Sequence, residues 1–291
     1  MDKQLNTIDF IIQVLTKSIY QFLSVFGILL LFGILLYVLS RSTRKAFNNS
    51  GHGNLDIFLT GWIGTPVHEV GHAVFCILFG HRIKEIKLFK PNSEDGTLGY
   101  VKHSYDSKSL FQRIGCFFIG TGPIIFGTIV LFLLLYFLLP NYREISRIIS
   151  GNTLTGYNFI DLLKHTGSMT ITGFQFLTGI FSPENFKEPY FWLFIYLSFC
   201  VSSHMQLSPS DLKSMLIGLV TILLIFLLVN LATSFIGVNI TTYISKFSQF
   251  YGRILNIFIL AAAISFANFA ISYTILASIQ LIRNKRLISF W

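Results

Sequence analysis

Two histidines and a glutamate lie inside an otherwise apolar stretch, GTPVHEVGHAVFCILFG at residues 64–80. His68 and His72 are four residues apart, so on an α-helix both imidazoles face the same side and can reach one ion. Glu69 projects beside them, where it can accept a proton from a water on that ion. The HExxH pattern therefore predicts a metal site with Glu69 as general base, and zinc suits two imidazoles plus a carboxylate.

The apolar surroundings of these three residues favour a metal site over a packing role. A charged side chain near the centre of a bilayer costs about 2.5–3.5 kcal/mol on insertion scales. Metal coordination can recover that free energy, whereas packing against other side chains cannot. The competing interpretation is a buried, hydrogen-bonded His–Glu cluster that stabilises a helix bundle.

A third protein ligand must come from elsewhere in the chain, and Asp211 is the favoured candidate. It lies between two apolar runs in the polar stretch SSHMQLSPSDLK, residues 202–213, whereas most other acidic residues fall in polar segments or at the edges of apolar ones. Ser208 and Pro209 also predict a helix start with Asp211 in its first turn, which is compatible with ligation. His204 is the competing third ligand or a substrate contact.

The composition places these residues in a membrane protein. The chain is 53% hydrophobic and 12% charged, with a mean hydropathy of +0.64, whereas soluble domains carry roughly 25% charged residues. We expect an all-α polytopic membrane protein with about six transmembrane helices. These are predicted at residues 20–39, 57–80, 114–139, 190–206, 212–236 and 254–281, of which the fourth is short and a candidate broken helix.

The net charge of +9 is interpreted as membrane topology rather than nucleic-acid binding. An even number of spans places both termini on one side, and the distribution of Lys and Arg favours the cytoplasm. In this arrangement Arg41, Arg44 and Lys45 lie outside, while the metal site approaches the cytoplasmic side. The three cysteines all fall in apolar spans, where packing is the expected role; they are Cys76, Cys116 and Cys200.

Three further segments carry structural signals. Residues 5–19 predict an amphipathic helix on the membrane surface before the first span. The basic segment 81–113 contains two β-prone runs around Asp95-Gly96, which predicts a small β-hairpin between the second and third spans. Residues 140–189 are predicted to contain short interfacial helices.

Taken in order, these motifs resemble the site-2 protease family of intramembrane zinc metalloproteases. HEVGH at 68–72 lies in an early span, FIGTGP at 118–123 is similar to the small-Gly-Pro turn of the family, and PSD at 209–211 is similar to its third-ligand motif. The resemblance covers roughly residues 57–236. The chain departs from the family pattern at several positions, including Leu212 in place of a glycine and Phe126 in place of an asparagine.

The resemblance implies three core helices around a zinc ion within the membrane. By that resemblance His68, His72 and Asp211 bind Zn²⁺, and Glu69 is the catalytic base that hydrolyses peptide bonds in or near transmembrane segments of membrane proteins. The hairpin would either pair with an extended substrate or contact anionic head groups.

The implied organisation has three parts around the bilayer. Residues 1–56 form an amphipathic segment and an accessory helix, 57–236 the metalloprotease core, and 237–291 an accessory helix with a basic tail. Two alternatives to an enzyme are a zinc-containing protein that binds membrane segments without cutting them, and an ion-transporting bundle. The expected partners are a membrane-protein or peptide substrate and the lipid bilayer, with no nucleic acid.

Overall fold

The computed structural model describes residues 7–51, 57–91, 97–151, 166–238, 240–241 and 251–284. In these ranges the chain forms eight α-helices and one two-stranded antiparallel sheet. The elements in chain order are α1 Thr7–Asn49, α2 Trp62–Leu78 (after a π-helical turn, Ile57–Gly61), β1 Arg82–Lys87, β2 Tyr100–Ser104, α3 Leu110–Leu138, α4 Tyr142–Gly151, α5 Thr166–Ile180, α6 Pro189–Ser203, α7 Pro209–Ile236 and α8 Tyr251–Asn284.

The predicted fold class, a polytopic helical membrane protein with a small β-hairpin, is confirmed. The six predicted spans coincide with α1, α2, α3, α6, α7 and α8. Within the described residues, four of these (α1, α3, α7 and α8) are long and apolar enough by themselves to cross a membrane. Helices α2 and α6 are shorter, with 17 and 15 residues.

The helices α1 and α8 run parallel, so the N-terminal end of α1 and the C-terminal end of α8 lie at opposite ends of the bundle. Phe32 stacks on Phe258 with ring centroids 5.7 Å apart, and further along both helices Ala46 packs against Leu276. This packing places the first residue of α1 and the last residue of α8 far apart. This differs from six alternating spans, which would bring these two helix ends to one side; the expectation that both termini are cytoplasmic stays a prediction.

The physical reason is that α6 and α7 follow one another in the same direction. Helix α6 runs alongside α2, with contacts from Trp62 to Tyr196 and from His68 to His204. Helix α7 continues that direction antiparallel to α1, where Phe22 meets Phe226. The chain does not reverse direction at residues 204–208; the helix is only interrupted there. The suggestion of a broken helix at the fourth span agrees with this arrangement.

Helix α1 is continuous over 43 residues, which differs from a separate surface helix at residues 5–19. Its first turns pack against the end of α7: the rings of Phe10 and Phe235 are 5.9 Å apart. Further along, the buried side-chain amides of Gln21 and Asn230 exchange hydrogen bonds of 3.0 and 2.6 Å. Because the amide contacts satisfy polar groups on both helices, they hold the first half of α1 against α7.

The hairpin folds back along α2 towards the HExxH residues. Strands β1 and β2 pair antiparallel, with Arg82 opposite Ser104 and a bulge between Ile83 and Glu85. The segment leading into β2 brings Gly99 against Glu69. The predicted turn at Asp95-Gly96 lies outside the described residues. Helices α4 and α5 fall within the segment that was predicted to contain short helices.

Candidate metal centre

Glycines bring α2, α3 and α7 into backbone contact and thereby set the position of the candidate ligands. A Cβ atom on Gly71 of α2 would lie 2.9 Å from the Gly122 carbonyl oxygen, and one on Gly122 would lie 2.8 Å from the Gly71 oxygen. A Cβ atom on Gly120 of α3 would lie 2.5 Å from the carbonyl oxygen of Asp211. No side chain fits between these backbones, so the helices approach as closely as small residues allow.

This close packing brings His68, His72 and Asp211 together. The two Nε2 atoms are 3.2 Å apart. His72 Nε2 lies 3.2 Å from Asp211 Oδ1, and His68 Nε2 lies 3.7 Å from Asp211 Oδ2. The three side chains are mostly shielded from solvent, with exposed fractions of 13%, 9% and 11%. Three donor atoms therefore converge on one point within the bundle.

Backbone carbonyls orient both imidazole rings. His68 Nδ1 lies 2.7 Å from the carbonyl oxygen of His204, and His72 Nδ1 lies 2.7 Å from that of Ile119. A carbonyl oxygen only accepts, so each Nδ1 carries the proton and donates it. Each Nε2 then keeps its lone pair and directs it at the common point, which is the arrangement of metal-binding histidines.

Asp211 is fixed by the helix that it begins. Ser208 caps α7: its side chain accepts from the Asp211 backbone N–H at 3.2 Å, and Asp211 Oδ2 accepts from the Ser208 N–H at 2.7 Å. Pro209 is the first residue of the helix. The predicted cap is therefore present, and it leaves Oδ1 directed at the histidines. This reciprocal capping makes the carboxylate rigid before any ion binds.

The donor set fits a tetrahedral dication. Zn–N and Zn–O bonds of about 2.0–2.2 Å in a tetrahedron place neighbouring ligand atoms about 3.3–3.6 Å apart, close to the distances of 3.2–3.7 Å found here. All three donor atoms lie within 4.8 Å of one another, so His68, His72 and Asp211 could hold a metal ion. The two imidazole lone pairs face each other and repel, and a cation between them would remove that repulsion.

Glu69 lies beside this group but does not belong to it. Its side chain is buried, with 5% exposed, and the backbone of Gly99 covers it on the hairpin side. Among the residues that the structure describes, no hydrogen bond or ion pair fixes its carboxylate. A buried carboxylate without a fixed partner is free to accept and deliver a proton.

The imidazole of His204 is turned away from the three ligands. Its Nδ1 lies 3.2 Å from the Cys200 carbonyl oxygen and 3.0 Å from Ser203 Oγ. His204 acts on the site through its backbone oxygen, which holds His68. Of the two candidates for the third ligand, the structure brings Asp211 to the histidines and not the His204 side chain.

A cavity of about 650 Å³ gives access to the site. Its wall includes Thr65, His68 and Glu69 from α2, residues 97–99 from the hairpin and residues 206–209 from the helix break. The end of α1 completes the wall. The sequence analysis placed that end on the far side of the membrane from the metal site, whereas the structure brings both to one cavity.

Two features of the site have no signal in the sequence. The carbonyls of Ile119 and His204 reach the histidines only through the crossing of α2 with α3 and α6, and any residue type supplies a carbonyl. The contribution of α1 was also missed, because its basic end was predicted to lie outside the membrane, beyond the first span at residues 20–39. Comparison with protein-family models, curated proteins and solved structures found no match.

Proposed function

We propose that this protein is a membrane-embedded zinc endopeptidase that hydrolyses peptide bonds in or near transmembrane segments, as in the site-2 protease family that its motifs resemble. The observation that carries the proposal is the convergence of two Nε2 lone pairs and one capped carboxylate beside an unpaired, buried glutamate. A helix bundle stabilised by His–Glu hydrogen bonds would pair Glu69 with a histidine. The observed arrangement instead leaves Glu69 available for proton transfer.

His68, His72 and Asp211 would hold the ion, which supplies Lewis acidity towards a peptide carbonyl and makes a nearby water more acidic. Glu69 takes the proton from the attacking water as the new C–O bond forms. It then delivers a proton to the departing amine nitrogen as the C–N bond breaks, so the carboxylate is regenerated. The carbonyls of Ile119 and His204 keep both imidazoles in the tautomer that this chemistry requires.

The cavity also supports a polypeptide substrate. Its volume admits a short extended stretch of chain, and its wall includes residues 97–99, of which Gly99 lies against Glu69. A helical peptide bond has its carbonyl hydrogen-bonded within the helix, so a substrate must unwind before it reaches Glu69. The location that fits is a bilayer, the cytoplasmic membrane if the source is a prokaryote.

The second candidate is a zinc-containing protein that binds membrane segments without cutting them. The unpaired Glu69 favours the enzyme, because a binding protein gains nothing from a buried carboxylate that has no partner. The same ligands and cavity serve both functions.

The experiment that separates them is cleavage in proteoliposomes. Zinc-loaded protein is reconstituted with a panel of tagged single-span membrane proteins, and Glu69→Gln protein is the matched control. We expect cleavage of some panel members by the native protein and a loss of at least about 1,000-fold in rate with Glu69→Gln, at unchanged zinc content. Full zinc occupancy with no cleavage of any panel member would support the binding protein instead.

A further inference from the structure

The end of α1 places a group of cations in the wall of the candidate active-site cavity. Arg41, Arg44 and Lys45 all line it, together with His68 and Glu69. Arg41 donates a hydrogen bond to the Tyr37 hydroxyl, which holds the guanidinium at this wall. The cavity therefore joins a candidate metal site to a basic surface.

Negative charge does not balance the two arginines within the described part of the chain. Glu69 is the one acidic side chain among the described residues that line the cavity. Neither Arg41 nor Arg44 forms an ion pair with a described acidic residue. A bound dication would add further positive charge, so the potential in the cavity favours an anionic guest.

We propose that Arg41 and Arg44 select substrates that carry a carboxylate side chain close to the bond to be cut. This inference rests on the proposed function, since it names the substrate class of the same site. Arginine suits the role because its planar guanidinium pairs with a carboxylate through two parallel N–H groups. Helix α1 then supplies specificity, while α2 and α7 supply the chemistry.

A peptide carboxylate fits better than an anionic lipid head group. The cavity wall also contains residues 97–99 of the hairpin segment and the helix break at residues 206–209, so an extended chain in the cavity would pass between these two segments. Glu69 lies on the same wall and would repel a phosphate at the metal site. A side-chain carboxylate one or two residues from the scissile bond reaches the arginines without approaching Glu69.

The test uses three short labelled peptides of Leu and Ser. They differ only at two central residues, which are both Asp in the first peptide, both Asn in the second and both Lys in the third. Binding to full-length, zinc-loaded Glu69→Gln protein in detergent is followed by fluorescence anisotropy. Exposed ion pairs contribute up to about 1 kcal/mol each, which corresponds to about fivefold in affinity. We expect the Asp peptide to bind at least about fivefold tighter than the Asn peptide, and the Lys peptide to bind weakest.

Variants assign this preference to the arginines. Arg41→Gln with Arg44→Gln should remove the preference for Asp and leave the affinity for the Asn peptide unchanged. Arg44→Glu should shift the preference towards the Lys peptide. Arg143→Gln, a matched control on α4 outside the cavity, should keep the full preference. Raising the salt concentration from about 0.05 M to about 0.5 M should lower the binding affinity of the Asp peptide and of no other peptide.

Equal binding of the three peptides would overturn the inference. So would a double variant that keeps the Asp preference but loses an anionic lipid, phosphatidylglycerol, as measured by native mass spectrometry. That result would assign the cations to lipid head groups. Because the readout is binding, the inference survives if the native protein cuts none of the peptides, in which case the proposed hydrolysis alone would fall.

Discussion

The direction of four nitrogen atoms decides what the candidate centre can do. Each Nδ1–H is held by a main-chain carbonyl, so each Nε2 is a pure acceptor pointed at Asp211. Asp211 has one oxygen engaged by the cap of α7 and the other free for the histidines. The residues are therefore arranged for a cation before one arrives, and little reorganisation is needed on binding.

The first prediction at this level separates Asp211 from His204. Asp211→Ala removes a ligand, so we expect zinc affinity to fall by at least about 100-fold. His204→Ala leaves the backbone carbonyl that orients His68, so zinc content should stay close to one ion per chain. Metal analysis of both purified variants after dialysis against a weak chelator is the measurement. Loss of zinc in His204→Ala with retention in Asp211→Ala would reverse the assignment.

The cap of α7 gives a second prediction. Ser208→Ala removes the hydroxyl that accepts from the Asp211 N–H. Loss of an N-cap typically lowers the free energy of unfolding by about 1 kcal/mol. The Asp211 carboxylate also becomes freer to rotate away from the histidines. We expect a lower melting temperature and zinc binding weakened by up to about tenfold. Ser210→Ala, on the same turn, removes only the exposed contact of the Ser210 hydroxyl with Ser208 Oγ and keeps the capping hydroxyl, so both quantities should change less than in Ser208→Ala.

The candidate metal ligands were readable from the sequence because their signals are local. A spacing of four residues puts His68 and His72 on one helical face, and Ser208-Pro209 marks a helix start that carries Asp211. The distance between these two segments was not readable. It depends on backbone contact at Gly71, Gly120 and Gly122, and a sequence alone does not show which glycines face another helix.

Among the elements, helix α3 is the support on which α2 and α7 are positioned. Its glycines face both neighbours, and Ile119, next to Gly120, supplies the carbonyl that holds His72. A substitution on this surface of α3 should therefore alter metal binding even though it replaces none of the candidate ligands.

This dependence predicts different effects for two Gly→Ala substitutions. In Gly120→Ala the new Cβ would lie 2.5 Å from the Asp211 carbonyl oxygen, whereas in Gly33→Ala the nearest atom is a flexible side-chain carbon 3.5 Å away. We expect Gly120→Ala to lower the free energy of unfolding by about 1–3 kcal/mol and to weaken zinc binding. Gly33→Ala should leave both unchanged. Thermal unfolding with parallel metal analysis measures the two effects, and equal behaviour of the variants would contradict the packing described here.

The hairpin is attached by a histidine pair whose titration gives a pH prediction. His81 donates from Nε2 to the Gln112 carbonyl and accepts at Nδ1 from His103 Nδ1, 3.0 Å away. The ring of Tyr105 stacks on His81. Burial, reinforced by His81 and His72, lowers the pKa of His103 to about 4, and burial also lowers the pKa of His81.

The direction of the change in stability with pH follows from the difference in protons bound by the folded and unfolded chains. Below about pH 6.5 the unfolded chain binds protons that the folded hairpin does not, so stability is full above that pH and falls as the pH drops towards about 4. The melting temperature should therefore decrease across this window in the native protein and decrease less in His103→Gln. A decrease of the same size in both proteins would show that this pair does not titrate as described.

At the scale of the whole molecule, hydropathy gave the positions of the helices but not their directions. Residues 190–206 and 212–236 look like two spans joined by a turn, because a polar stretch separates them. The structure shows α6 and α7 continuing in one direction through that stretch. The polar break is part of the candidate metal centre, and it carries Asp211 and the carbonyl of His204.

A topology measurement tests this arrangement. Because α1 and α8 are parallel, reporters fused before Thr7 and after Asn284 should lie on opposite sides of the membrane. A label that cannot cross the bilayer, applied to single-cysteine tags at the two positions, should react at one and not at the other in intact vesicles. A cysteine-free background is required, since the buried thiols of Cys76, Cys116 and Cys200 form no disulfide and would compete for the label once exposed. Reaction at both positions would contradict parallel packing.

The most direct measurement for the central claim is X-ray absorption spectroscopy at the zinc edge on purified, metal-replete protein, with zinc counted per chain. One zinc per chain should be found, with two imidazole nitrogens at about 2.0–2.1 Å and oxygen ligands at about 2.0–2.2 Å. The imidazole signal should be lost in a variant with both His68→Ala and His72→Ala. Protein that holds no zinc under these conditions, or zinc whose spectrum is unchanged by that double variant, would contradict the account.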